Sequence, residues 1–153
     1  MKRLLLVFHA PSINTQKMLN SMVQIIEQEK FQNLQLIVKP PLEATSEDVL
    51  NCDGIILGTT ENLGYMSGAL KDFFDRVYYP CLEEKQGLPV AAIVRAGHDG
   101  TGTCRALNSI LTGLRWRWVQ EILLCKGAWQ DSFIQDCEEL GQAMAIALDE
   151  GMI

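Results

Sequence analysis

Histidine is nearly absent from this chain: His9 and His98 are the only two among 153 residues. The five cysteines (Cys52, Cys81, Cys104, Cys125 and Cys137) are widely spaced, odd in number and never in C-x-x-C spacing. A structural zinc site or a disulfide framework is therefore unsupported, and the cysteines read as small buried hydrophobes in a reducing compartment. Basic residues are scarce and scattered, 13 Lys and Arg against 19 Asp and Glu for a net charge of −6. That leaves no electrostatic footprint for nucleic acid or an anionic membrane. Long apolar runs are missing too. Met1-Lys2-Arg3 followed by Leu4–Phe8 imitates the start of a signal peptide, but the run is too short for one and no small-residue cleavage pattern follows. None of the runs is long enough to span a bilayer, and the expected location is cytoplasmic.

Several catalytic signatures are absent as well. Gly97-His-Asp-Gly-Thr-Gly102 is rich in glycine but does not have the G-x-G-x-x-G spacing, and no Walker lysine pattern exists. Gly64-Tyr-Met-Ser67-Gly misses the nucleophile-elbow spacing by one residue. Ser67 reads instead as a helix N-cap. His9 and Ala10 stand where a phospho-accepting response regulator would carry clustered acids.

What is present is an alternation of apolar runs and helical periods in a chain of one-domain length, residues 1–153. Leu4–Phe8 reads as a strand buried on both faces. A helix follows from Asn14 or Thr15, with Leu19, Met22, Val23 and Ile26 at helical spacing. Leu34–Val38 is a second strand, ended by Lys39-Pro40-Pro41, and Ser46–Leu50 is a short capped turn. Gly54–Leu57 is the third strand. After Gly58 comes an eight-residue loop, Thr59–Met66, then a helix from Ser67 to about Tyr79, stopped by Pro80. Val90–Val94 is the fourth strand, Thr103–Leu114 a helix, Val119–Leu124 the fifth strand and Asp131 to about Asp149 the last helix. Strands alternating with helices predict an α/β fold, a parallel sheet covered on both faces. The second strand carries Gln35 and the fifth carries Gln120 and Glu121, so these two belong at the edges. The order is then 2-1-3-4-5, a doubly wound, five-stranded parallel sheet. Ligands in such sheets sit at the carboxyl ends of the strands, where the winding reverses, here between His9–Asn14 and Thr59–Met66.

The first of these loops opens a helix, and a helix N-terminus offers free N–H donors and a partial positive charge. Ser12, Asn14 and Thr15 add polar side chains, and the loop has no Lys or Arg. A phosphate held by amides and hydroxyls fits. Ordinary N-capping by Ser12 or Asn14 is the equal alternative.

Gly64-x-Met-Ser-Gly-x-Leu-Lys-x-Phe-Phe-Asp-Arg76 resembles the second flavin loop and following helix of the flavodoxin-like family. Within that family it is most similar to NAD(P)H-dependent FMN reductases and quinone reductases. His9 to Thr15 resembles the family's phosphate loop at His9, Asn14 and Thr15, and Gly97–Gly102 falls at its third flavin loop. Three features depart from the pattern. Ala10 replaces a serine, Ile13 replaces a glycine, and Thr60–Leu63 lacks the aromatic that often stacks on the ring.

The resemblance implies that Ser12, Ile13, Asn14 and Thr15 hold an FMN phosphate. Thr59, Thr60, Glu61, Asn62, Leu63, Gly64, Tyr65 and Met66 would line the flavin ring. Gly97, His98 and Asp99 would close the other side. It implies an FMN-binding oxidoreductase that passes electrons from NAD(P)H to a quinone-like or other small acceptor, with no catalytic acid or base required. It also implies a homodimer contact at Tyr78-Tyr79-Pro80. Two alternatives stay open: a flavodoxin-type electron carrier, and a module of this fold that has lost tight FMN binding.

Overall fold

The computed structural model describes residues Met1–Ile153. The opening apolar run forms β1 (Lys2–Phe8), and the mixed run that follows forms β2 (Leu34–Lys39). Between them lies α1 (Ile13–Gln28), and after β2 the short α2 (Ser46–Leu50). The third strand, β3 (Gly54–Asn62), is longer than its apolar part and continues into a two-residue strand, β4 (Tyr65–Met66). Then come α3 (Gly68–Cys81), β5 (Pro89–Ala96), α4 (Thr101–Leu114), the short pair β6 (Arg117–Trp118) and β7 (Leu123–Lys126), and α5 (Ser132–Asp149).

The principal strands are parallel, with β1 between β2 and β3 and β5 on the far side of β3. β6 and β7 both pair with the outer edge of β5. Counting those two as one interrupted fifth strand, the order is the expected 2-1-3-4-5, with the two polar strands at the edges. The two faces carry separate cores. α1 and α5 cover one, packing Met18, Met22, Leu140 and Met144 over Leu4, Leu6 and Ile56. α3 and α4 cover the other, packing Leu70, Phe73, Leu107 and Leu111 over Val7, Leu57 and Val94. β1, β3 and β5 are buried on both sides, which is why they read as nearly unbroken apolar runs.

Three expectations are corrected. The segment Thr59–Met66 is a β-hairpin, not a loop: Glu61 pairs with Met66 and Asn62 with Tyr65. β-branched Thr59 and Thr60 extend β3 naturally, and the turn is hidden in the sequence because a leucine stands where glycine or asparagine is usual. Secondly, Pro80 does not stop α3, which runs to Cys81. A proline so close to the end forfeits one helical hydrogen bond, and its ring is exposed. Thirdly, the fifth strand is broken. β5 advances three residues, from Val90 to Ile93, while the edge advances five, from Trp118 to Leu123. Two extra residues loop out at Val119–Ile122, with Gln120 and Glu121 exposed.

Arg76 of the α3 motif acts as a bolt. Its guanidinium donates to the Ala44 carbonyl at 2.7 Å, to the Pro41 carbonyl at 2.7 Å and to Asp72 Oδ2 at 2.8 Å. It ties the segment before α2 to α3. Replacing Arg76 with methionine keeps much of the stem but removes the charge-assisted bonds, a cost of about 2 kcal/mol. In a domain of this size that lowers Tm by roughly 4–8 °C in calorimetry. An unchanged Tm would mean that water serves those carbonyls equally well.

Candidate ligand site at the carboxyl edge of the sheet

Three connections meet at the carboxyl ends of β1, β3 and β5. The first begins with His9, whose N–H donates to the Gly58 carbonyl at 2.9 Å and aligns the ends of β1 and β3. Burial lowers the His9 pKa below the usual histidine range. Ser12 then caps α1. Its hydroxyl accepts from the Thr15 N–H at 3.1 Å, and its own N–H donates to Thr15 Oγ1 at 3.0 Å. This reciprocal box consumes both hydroxyls locally, and Thr15 is buried. Gln16 N–H goes to the Ser12 carbonyl. The N–H groups of Ile13 and Asn14 have no internal acceptor, and no acid lies in the first turn. The box thus fixes a terminus whose two free donors face outward, a fit to a phosphate group.

The second connection is the hairpin. Leu63 and Gly64 form its two-residue turn, with φ of 53° and 76°. Both angles are left-handed, the type I′ arrangement that suits strand twist. Glycine takes this conformation freely, but leucine does so at a cost of about 1–2 kcal/mol. Within the hairpin Thr59 and Met66 turn inward. Thr59 Oγ1 accepts from the Ser67 N–H at 3.0 Å and donates to the Thr60 carbonyl at 2.8 Å. Ser67 caps α3 through the Leu70 N–H. Thr60 donates to Asn62 Oδ1 at 2.8 Å on the opposite, more open side.

The third connection is Gly97-His98-Asp99, fully on the surface. Asp99 Oδ1 accepts from the Thr101 N–H at 3.0 Å, and this bond holds its carboxyl below the usual range. Gly100, at φ 71°, swings the chain into α4. Immediately beyond it, Gly102 meets the hairpin tip: a Cβ there would lie 1.9 Å from the Gly64 carbonyl oxygen. The second connection and the first turn of α4 therefore meet backbone to backbone. Sequence reading missed Gly102 as a packing residue, although its place two residues after Gly100 was a signal. Arg95, the one charge in β5, was also missed. It donates to the Ala96 and Cys125 carbonyls and lies over Phe133, 5.0 Å from the ring centre.

Ile13, Leu63 and Tyr65 all stand on these connections, and they are 72%, 105% and 39% exposed. The edge thus presents outward N–H donors beside uncovered apolar side chains.

The family described as NADPH-dependent FMN reductase matches residues 14–130. The chain belongs to that family. It is also 32% identical over 114 residues to a flavodoxin of Aquifex aeolicus (strain VF5). The match spans 74% of this chain but only 60% of that relative's length. Among solved structures, a flavodoxin from the domain Archaea superposes with a TM-score of 0.76 at 18% identity, covering 95% of this chain and 98% of that one. A flavodoxin, WrbA-like protein from Agrobacterium tumefaciens gives 0.74 at 15% identity, covering 98% and 99%. These likenesses show a flavodoxin fold.

Two substitutions probe the hairpin from opposite directions. Gly102→Ala forces the Gly64 backbone away and is expected to destabilise by about 1–3 kcal/mol, with local displacement of the hairpin. Leu63→Asn relieves the left-handed strain and is expected to stabilise by about 1 kcal/mol. Denaturant unfolding reads both, and a loss of stability in Leu63→Asn would show that the leucine is held by contacts.

Proposed function

We propose that this chain is an FMN-dependent oxidoreductase that takes electrons from NAD(P)H and delivers them to a quinone-like or other small acceptor. The observation that carries this reading is the pairing of the Ser12–Thr15 cap with the Leu63–Gly64 hairpin on the adjacent strands β1 and β3. FMN, when bound, supplies the exchange of hydride and electrons; the residues supply position. The free N–H groups of Ile13 and Asn14, with the Asn14 side chain, hold the phosphate. Leu63 and Tyr65 offer apolar cover to the ring in place of the missing stacking aromatic, and the backbone around Gly64 meets its polar edge. Thr60, Glu61 and Asn62 flank the ring, and Gly97, His98 and Asp99 close the other side. On this reading His98 donates a hydrogen bond to the ring's polar edge or to the acceptor. A cytoplasmic setting goes with this reading.

A carrier without its own substrate is the second reading. It is favoured by the flavodoxin relative and by the net charge of −6, which suits docking on basic partners. The two readings divide cleanly. The purified chain is expected to take up FMN with micromolar or better affinity and quench its fluorescence. The loaded chain is then expected to oxidise NADH or NADPH when a quinone is supplied. Uptake without turnover favours the carrier, and no uptake at high FMN removes both readings.

Tyr79 is the proposed homodimer contact. It is 79% exposed and lies edge-on to Tyr78, with ring centres 5.2 Å apart. Sedimentation is expected to show a dimer at micromolar concentration that Tyr79→Ser weakens; a strict monomer would remove the proposal.

A further inference from the structure

The two extra residues at Val119–Ile122 leave the sheet edge standing off from α4, and a cavity of about 470 Å³ opens between them. That size falls in the range of small-molecule sites. Its walls include Trp118, Val119 and Ile122, and its rim carries the amides of Asn108 and Gln120. Glu121 also lines it, and no Lys or Arg does. A cavity of similar size at the amino ends of β1 to β3, about 500 Å³, is lined almost wholly by polar residues.

We propose that the cavity between α4 and the looped-out Val119–Ile122 segment binds an uncharged planar ring bearing carbonyl acceptors, a quinone-type compound. The lining argues for each part of that description. Trp118 and Ile122 offer flat apolar surface, the Asn108 and Gln120 amides offer donors to ring carbonyls, and Glu121 without a neighbouring cation disfavours phosphates and carboxylates. The cavity borders α4, the helix whose Gly102 packs on the hairpin tip. Cys104 lines it two residues after Gly102, the residue in contact with the hairpin tip. Burial raises the Cys104 thiol pKa, and the Glu61 charge raises it further. The identification of the ligand as the electron acceptor rests on the proposed function; its binding does not.

Cys104 makes the test direct. It is half-buried, whereas Cys52, Cys81, Cys125 and Cys137 are buried, so alkylation of the folded chain reports on this cavity. The raised thiol calls for labelling at about pH 9. Duroquinone is the probe, because its fully methylated ring does not add thiols. It is expected to slow Cys104 alkylation about fivefold or more near saturation, and to quench tryptophan fluorescence saturably. Asn108→Phe, on an exposed position of α4, fills the cavity and is expected to weaken quenching about tenfold. No protection of Cys104 up to the solubility limit overturns the proposal. So does quenching that is unchanged in Trp118→Phe. The titrations are run on the full chain with and without FMN. A chain that ignores FMN yet binds duroquinone sinks only the flavin reading, and one that takes FMN but shows no protection sinks only the cavity.

Discussion

Burial of β1 and β3 on both faces is the constraint from which the site follows. Adjacent parallel strands with apolar residues on each side need helices above and below. The connection after β1 leaves toward the α1/α5 face, and the one after β3 leaves toward the α3/α4 face. Two chains departing in opposite directions from neighbouring strands open a crevice at their carboxyl ends. The crevice is held tightly. Phe8 pairs with Gly58, and the Phe8 ring fills the space a Cβ on Gly58 would take, at 2.2 Å. The His9 N–H closes the last bond to the Gly58 carbonyl. The mouth of the site is therefore set by core packing.

The hairpin on the other side of the crevice is under tension. It turns through two left-handed residues, one of them a fully exposed leucine, and its Gly64 carbonyl packs against Gly102 where no Cβ would fit. Thr59 and Ser67 lock its base through buried hydrogen bonds. A rigid base with a strained, exposed apolar tip is a poor arrangement for stability alone. It suits a surface that meets a ligand, since strained backbone persists where its surroundings over-determine it.

Much of this architecture was legible in the sequence, for identifiable reasons. Strands buried on both faces announce themselves as unbroken apolar runs, and Gln35 marked one edge. Gln120 and Glu121 pointed to the other edge, although they stand in its looped-out segment and not in a strand. The Ser12 and Ser67 caps were legible because capping chemistry is local. The hairpin was not, because its turn uses Leu63 where local rules expect asparagine or glycine, and only pairing with Tyr65 and Met66 reveals it. The break in the fifth strand was hidden for the opposite reason. Val119–Leu124 has strand-like composition, and the excess of two residues exists only relative to β5. Gly102 and Arg95 acquire meaning from what they touch, the Gly64 carbonyl and the Phe133 ring, which no window of sequence contains. The motif around Arg76 was recognisable as a pattern, but its chemistry is a tie to Pro41 and Ala44.

Charge adds a last constraint. The chain is acidic overall, the first connection holds no cation, and Arg95 near the edge is committed to two carbonyls and an aromatic face. On the proposed reading a phosphate is therefore met by oriented N–H groups and the helix field, both short-ranged. Recognition of that kind depends on the donors being fixed before the ligand arrives, and the Ser12–Thr15 box does this by spending both hydroxyls on each other. The ring end meets a different demand. It lies against the hairpin, which packs on α4 in the other layer, so a ligand spanning phosphate loop and hairpin would join the two faces of the sheet at the one place where the winding separates them.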